Sequence, residues 1–160
     1  VIERGTLGEP STSTFDLVGR WDIISWVQQY DDGRLQYPMG ADLIGFIRYT
    51  SDGDVIVQIS RSDRPQFTTG GQWDADKAEQ AAAYGSMLTY SGRYVLDGDH
   101  VTHHVDISLY PGWVGTLQRR RLAIGDDGTI ALEARLEPDT PEARTARLLW
   151  RPHVPERSAR

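Results

Sequence analysis

The sequence predicts an all-β protein: an up-and-down antiparallel β-barrel of about eight strands carrying one short helix. Three observations predict it. Short apolar runs with period-two alternation recur along the chain, and Asp-Gly pairs at Asp32-Gly33, Asp52-Gly53, Asp97-Gly98 and Asp127-Gly128 punctuate them. Glycine supplies the positive φ that tight hairpins need, so Asp-Gly between two apolar runs reads as a hairpin. A helical period occurs in one segment alone. Five tryptophans and seven tyrosines in 160 residues suit a barrel lined with amphipathic rings.

The elements follow in order. Val1 to Thr14 is polar and aperiodic and reads as a flexible N-terminal arm. Order is expected from Phe15 onward. The strands are expected at Trp21–Tyr30, Leu43–Thr50, Asp54–Arg61, Tyr90–Leu96, Val101–Leu109, Thr116–Ile124, Thr129–Leu136 and Thr145–Trp150. Ser62 to Gly71 is a loop. Asp76-Lys77-Ala78-Glu79 reads as a helix start with Glu79 closing a capping box. Ala78, Ala81, Ala82, Gly85 and Leu88 then recur at helical spacing, which places a helix over Lys77 to Leu88. The barrel is expected over residues 15–151, with Pro152 to Arg160 as a polar tail. Closing about eight strands removes the sheet edges and leaves room inside for one small ligand.

Composition narrows the function. The formal net charge is -6, which argues against a general nucleic-acid binder, and Arg119-Arg120-Arg121 is too short a run to reverse that. No stretch reaches the length of a membrane span, and Val1 to Thr14 has no signal-peptide core. There is no cysteine, hence no disulfide, thiolate metal site or cysteine nucleophile. These features make a cytoplasmic protein the expectation.

The stretch Val101 to Thr116 holds the most chemistry. Val101, His103, Val105, Ile107 and Leu109 share one parity; Thr102, His104, Asp106 and Ser108 share the other. A histidine on the apolar face has two readings. It is a core histidine satisfied by a tyrosine or carbonyl, or it is a general acid or base. Gln118 and Arg120 share parity with Leu122 and Ile124; Tyr90, Gly92, Tyr94 and Leu96 form another inward set, as do Trp21, Ile23, Ser25 and Val27. The candidate catalytic residues are therefore His103, Arg120, Tyr94 and, should the polar face of its strand look inward, His104. The candidate ligand-binding residues are Trp21, Ser25, Tyr90, Gln118 and Trp113. Arg120 has a plain alternative, stacking on Trp21 at a closed barrel end.

Several larger motifs are missing. His100, His103 and His104 look like a cluster, but adjacent strand residues face opposite sides, so no metal site is expected. Haem through one histidine would need a large open apolar pocket that nothing here demands. Gly70-Gly71 lacks the lysine of a phosphate loop, and Ser108 lacks a nucleophile elbow. No cofactor is expected. Trp26, Trp73 and Trp113 are available to line a pocket mouth, to close the barrel or to bury a homodimer interface.

Gly19-Arg20-Trp21, Tyr37-Pro38-Met39-Gly40, Tyr49-Thr50-Ser51-Asp52-Gly53 and Tyr90-Ser91-Gly92-Arg93-Tyr94 form a recurring pattern with His103-His104-Val105 and Ser108 through Thr116. The pattern resembles the bacterial lipocalin-like domain family over roughly Val18 to Arg151. The resemblance implies a lipocalin-type barrel with a central pocket for a small hydrophobic molecule. It implies no single reaction, because related barrels include carriers and cofactor-free enzymes. The polar inward set favours a cofactor-independent isomerase, cyclase or lyase (hydratase) using proton transfer. A non-catalytic carrier is the alternative.

Overall fold

The structure is a computed structural model that describes residues 15–156; the predicted arm over residues 1–14 and the last four residues lie outside it. Among the described residues nine strands form one antiparallel sheet. They are β1 (Gly19–Tyr30), β2 (Leu35–Gln36), β3 (Leu43–Tyr49), β4 (Asp54–Arg61), β5 (Met87–Asp97), β6 (His100–Ser108), β7 (Leu117–Ile124), β8 (Ile130–Leu136) and β9 (Arg144–Pro152). Helix α1 (Lys77–Gly85) sits between β4 and β5. Neighbours in sequence are neighbours in the sheet, and β9 pairs back on β1 to close it. The two-residue β2 only extends the edge of β1 at Gln28 and Gln29, so the closed ring has eight strands. Closure leaves few strand edges for pairing with other chains.

The two ends of the barrel are built differently. The tight Asp-Gly turns joining β3 to β4, β5 to β6 and β7 to β8 lie at one end. The opposite end carries the longer connections: residues 62–86 with α1, residues 109–116 with a short 3-10 turn at Pro111–Trp113, and residues 137–143. At the tight end Leu17, Trp21 and Ile23 are buried, and the Trp21 indole donates to the Leu17 carbonyl at 3.0 Å. Phe15 packs on Trp21 with ring centroids 6.1 Å apart, so this end is closed by side chains. Ile47, Val55, Val57, Ile59, Val101 and Ile130 fill the wall behind it. Burying side chains of this size contributes about 1.5–3 kcal/mol each.

Two bulges set which faces look inward. In β1 the register against β9 shifts between Ile23 and Ser25, so Ile24 is the extra residue. Parity reverses beyond it: Trp26 and Gln28, not Ser25 and Val27, turn toward the interior. In β6 the register against β5 pairs Ser91 with Ile107 but Gly92 with Val105, leaving Asp106 extra. Val101, His103 and Val105 are buried as the period predicts, whereas Ile107 is 70% exposed. The bulge also explains Gly92. A Cβ there would meet the His104 carbonyl oxygen at 1.8 Å, so no larger residue fits.

The helix corrects two expectations. It ends at Gly85 rather than Leu88, and Ala78, Ala81, Ala82 and Gly85 are all exposed, so the alanine stripe is no core face. Asp76 makes no side-chain cap. Glu79 instead accepts from the backbone N–H groups and the hydroxyls of Thr68 and Thr69 at 2.5–3.2 Å, pinning the preceding loop to the helix. Those donors hold its carboxyl down at about 2. The predicted tail also begins late. Pro152 still pairs with Trp21, and His153 donates its backbone N–H to the Arg20 carbonyl at 3.0 Å. No described helix is long and apolar enough to cross a membrane.

Candidate functional site: a cavity around His103

A cavity of about 280 Å³ occupies the half of the barrel with the long connections. Ile59, Leu88, Leu132, Leu148 and Trp150 supply much of its apolar wall. The polar groups come from a few positions: Gln28 on β1, Tyr90 on β5, His103 on β6, and Gln118 and Arg120 on β7. Trp26 and Trp113 complete the lining. Its volume lies just below the usual range for ligand pockets, about 300–1,000 Å³. An apolar chamber with a few convergent polar groups is the usual form of a small-molecule site.

His103 is the centre of the polar set. It is 1% exposed, and both ring nitrogens are engaged. The Tyr49 hydroxyl lies 2.8 Å from Nε2 and the Tyr90 hydroxyl 2.7 Å from Nδ1. Burial, reinforced by the positive charge of Arg120, pushes the imidazole down to about 3, so it is neutral at pH 7. Burial raises both phenols, Tyr90 to about 12, although Arg120 opposes the rise. The three rings form a neutral, hydrogen-bonded chain rather than a titrating site.

Arg120 is half-buried and turns toward the cavity. Its Nη2 donates to Gln118 Oε1 at 3.0 Å and its Nη1 to the Arg119 carbonyl at 3.0 Å. Gln118 Nε2 donates to Thr116 Oγ1 at 3.1 Å. None of the ion pairs among the described residues includes Arg120. Arg120 also sits where the wall parts. The β7–β8 ladder runs from Ile124 paired with Ile130 to Arg121 paired with Glu133 and stops there. A surface cleft lined by Arg119, Arg120, Ala134 and Leu136 lies along that gap.

Of the residues singled out from sequence, His103, Tyr90, Gln118, Arg120 and Trp113 share this cavity. Trp113 meets Tyr90 edge-on at 5.7 Å and closes the cavity beside the 3-10 turn. The other four lie elsewhere. Trp21 belongs to the closed end, with its indole N–H bound to Leu17. Arg120 therefore does not stack on it, and among the described residues the rings under arginine guanidinium groups are Phe46 and Tyr30. Ser25 is turned out of the lining by the β1 bulge. The Tyr94 hydroxyl donates to the Thr50 carbonyl at 2.8 Å, next to a tight turn, so it is not a cavity donor. His104 lies on the outer face, with Nδ1 3.1 Å from Asp106 Oδ1 and 3.0 Å from Arg93 Nη2. His100 pairs with Asp99 outside the barrel, and no group of three metal-ligating side chains occurs among the described residues.

Two contributors escaped the sequence reading. Tyr49 shares parity with Ile47 in an apolar strand, and that signal was sufficient to find it. Gln28 was hidden by the bulge, which also turns Trp26, one of the three tryptophans considered for a pocket mouth, into the lining. Trp26 and Trp150 both line the cavity and are also notable for indole nitrogens that are buried without a partner among the described residues. An unpaired buried donor costs about 1–3 kcal/mol, so the cavity half holds polar groups that the fold itself leaves unsatisfied.

The chain belongs to the lipocalin-like domain family, which matches residues 18–152. The match covers almost all of the described barrel. A curated relative is the 4'-hydroxy-3'-methoxypropiophenone carrier protein ppsC of Aspergillus oryzae, 32% identical over 78 residues. That alignment covers 44% of this chain and 70% of the relative.

Proposed function

We propose that the protein is a carrier that binds one small, largely apolar molecule bearing one or two oxygens in the barrel cavity. A single observation carries the reading: one end of the barrel is closed by Leu17 and Trp21, while the other holds an apolar chamber with its polar groups gathered around His103 and Arg120. The name of the Aspergillus relative, a carrier for an aryl ketone, supports the same ligand class. Tryptophans 26, 113 and 150 border the cavity and give a direct signal. Titration with a panel of small aryl ketones and phenols is expected to change tryptophan emission saturably, and native mass spectrometry is expected to show one bound molecule per chain. A panel that leaves both readouts unchanged would sink the carrier reading.

The second reading is the cofactor-independent isomerase, cyclase or lyase. Its support is the Tyr49–His103–Tyr90 chain, which reaches a cavity-lining hydroxyl. His103 is poorly suited to act as the base itself, because both nitrogens are engaged and its affinity for protons is low. Tyr90 and Arg120 are the better candidates, as donors that would polarise a ligand oxygen. Recovery of the bound molecule chemically changed after incubation would favour this reading over the carrier.

A further inference from the structure

The polar groups of the cavity can be sorted by what they still have to offer. Gln28 lines the chamber, its Oε1 accepts from Arg144 Nε at 2.7 Å, and its amide N–H groups have no partner among the described residues. Gln118 Oε1 accepts from Arg120, and both nitrogens of His103 are engaged. Two of the guanidinium bonds of Arg120 go to protein oxygens, and a guanidinium carries five N–H groups. The oxygens are engaged and the donors are in surplus.

The tyrosine chain has a direction. A neutral imidazole has one N–H and one lone pair. Tyr49 is 1% exposed, and His103 Nε2 is the hydrogen-bond partner of its hydroxyl among the described residues. With the proton on Nε2, Tyr49 would accept, and its own O–H would be left unpaired in the interior, which folded proteins avoid. The satisfied arrangement puts the proton on Nδ1. Tyr49 then donates to Nε2, Nδ1–H donates to Tyr90, and the Tyr90 O–H is released to the cavity that Tyr90 lines.

We propose that Tyr49 and His103 are positioning residues that fix Tyr90 as a hydrogen-bond donor into the cavity, and that Tyr90 and Arg120 together select a ligand oxygen that accepts, as a ketone or phenolate oxygen on a flat apolar body does. The proposal rests on the cavity being the ligand site. It goes further by assigning the polarity of the ligand and the tautomer of His103, whose two ring nitrogens are both taken by tyrosines. Hydrogen bonds to such an oxygen inside a low-dielectric chamber are stronger than in water, so the oxygen is the handle and the apolar body the filler.

Two probes of one shape test it: propiophenone, and propylbenzene, in which a methylene replaces the carbonyl. Both are titrated by tryptophan fluorescence into the full chain and into the Y90F and Y49F variants. Nitrogen-15 NMR of the ligand-free protein reads the His103 tautomer. The wild type is expected to prefer the ketone by about tenfold or more. Y90F is expected to remove most of that preference, leaving the share of Arg120, and Y49F to reduce it strongly, although Tyr49 does not line the cavity, while propylbenzene binds all three within about twofold. The imidazole proton is expected on Nδ1. A proton on Nε2, or a full ketone preference in Y49F, would overturn the relay. Equal binding of both probes to the wild type would overturn the selection and leave the carrier reading standing. Binding of neither probe overturns the ligand assignment together with that reading. Should Y49F fail to fold, the tautomer decides the relay.

Discussion

The two ends of this barrel use the same residue types to opposite effect. At the closed end Trp21 has its indole N–H on the Leu17 carbonyl, and Tyr94 has its hydroxyl on the Thr50 carbonyl. At the cavity end Trp26 and Trp150 have indole nitrogens without a partner among the described residues, Arg120 has no carboxylate, and Tyr90 holds one end of a hydrogen-bonded chain. In the first region both of these polar groups are bound by carbonyls of the fold itself. In the second region the fold tolerates polar groups it does not fully use, which is expected where a ligand completes the pairing. The connections differ in the same sense. Tight Asp-Gly turns hold the closed end, and the long segments, including α1, lie at the end that holds the cavity.

This contrast breaks most visibly at the two tryptophans. Trp21→Ala is expected to destabilise the protein by about 3–5 kcal/mol in urea unfolding, because the ring is buried against Phe15 and Leu17 and leaves a cavity behind. Trp26→Ala removes a ring that already borders empty space, so its loss of stability should be the smaller of the two, while ligand affinity falls. Equal destabilisation by both would mean that the two ends are packed alike.

The next effect is on pH dependence. The His103 imidazole is lowered from 6.5 to about 3 in the folded state, so the unfolded chain binds the extra proton between those values. Stability from this group is fully present above pH 6.5 and declines as pH falls toward about 3. The limiting slope is about 1.4 kcal/mol per pH unit. Carboxylates titrate lower, so between pH 6.5 and 5 the histidines carry the change in urea midpoint, and the difference between the wild type and a His103 variant isolates this one. A His103→Phe variant that folds should lose this slope. A wild-type midpoint that is flat across that window would mean that His103 is accessible to protons in the native state.

Arg120→Met should leave stability within about 1 kcal/mol of the wild type, since a half-buried guanidinium without a carboxylate adds little to folding. Its effect should appear in affinity for oxygen-bearing ligands, read by the same fluorescence titration. The smallest effect is expected outside both ends. Glu79→Gln should leave the melting temperature unchanged but speed amide exchange at Thr68 and Thr69, whose N–H groups the carboxylate holds. Unchanged exchange there would remove the clamp assigned to Glu79.

By itself the sequence determined the strand order, the hairpins and the inward place of His103, Gln118 and Arg120. Those follow from period-two alternation and from glycine in tight turns, both local properties of the chain. The tertiary structure decided which residues surround them. One extra residue at Ile24 exchanged Ser25 for Trp26 in the cavity lining, and another at Asp106 turned Ile107 outward. A bulge is a compromise between the pairing of two strands and the twist of a closed sheet, so it is fixed by partners far away in sequence. The pairing of Tyr49 and Tyr90 with one imidazole is of the same kind. Each residue is legible alone as inward, but only closure of the barrel brings Tyr49, 54 residues away in sequence, to within 2.8 Å of His103.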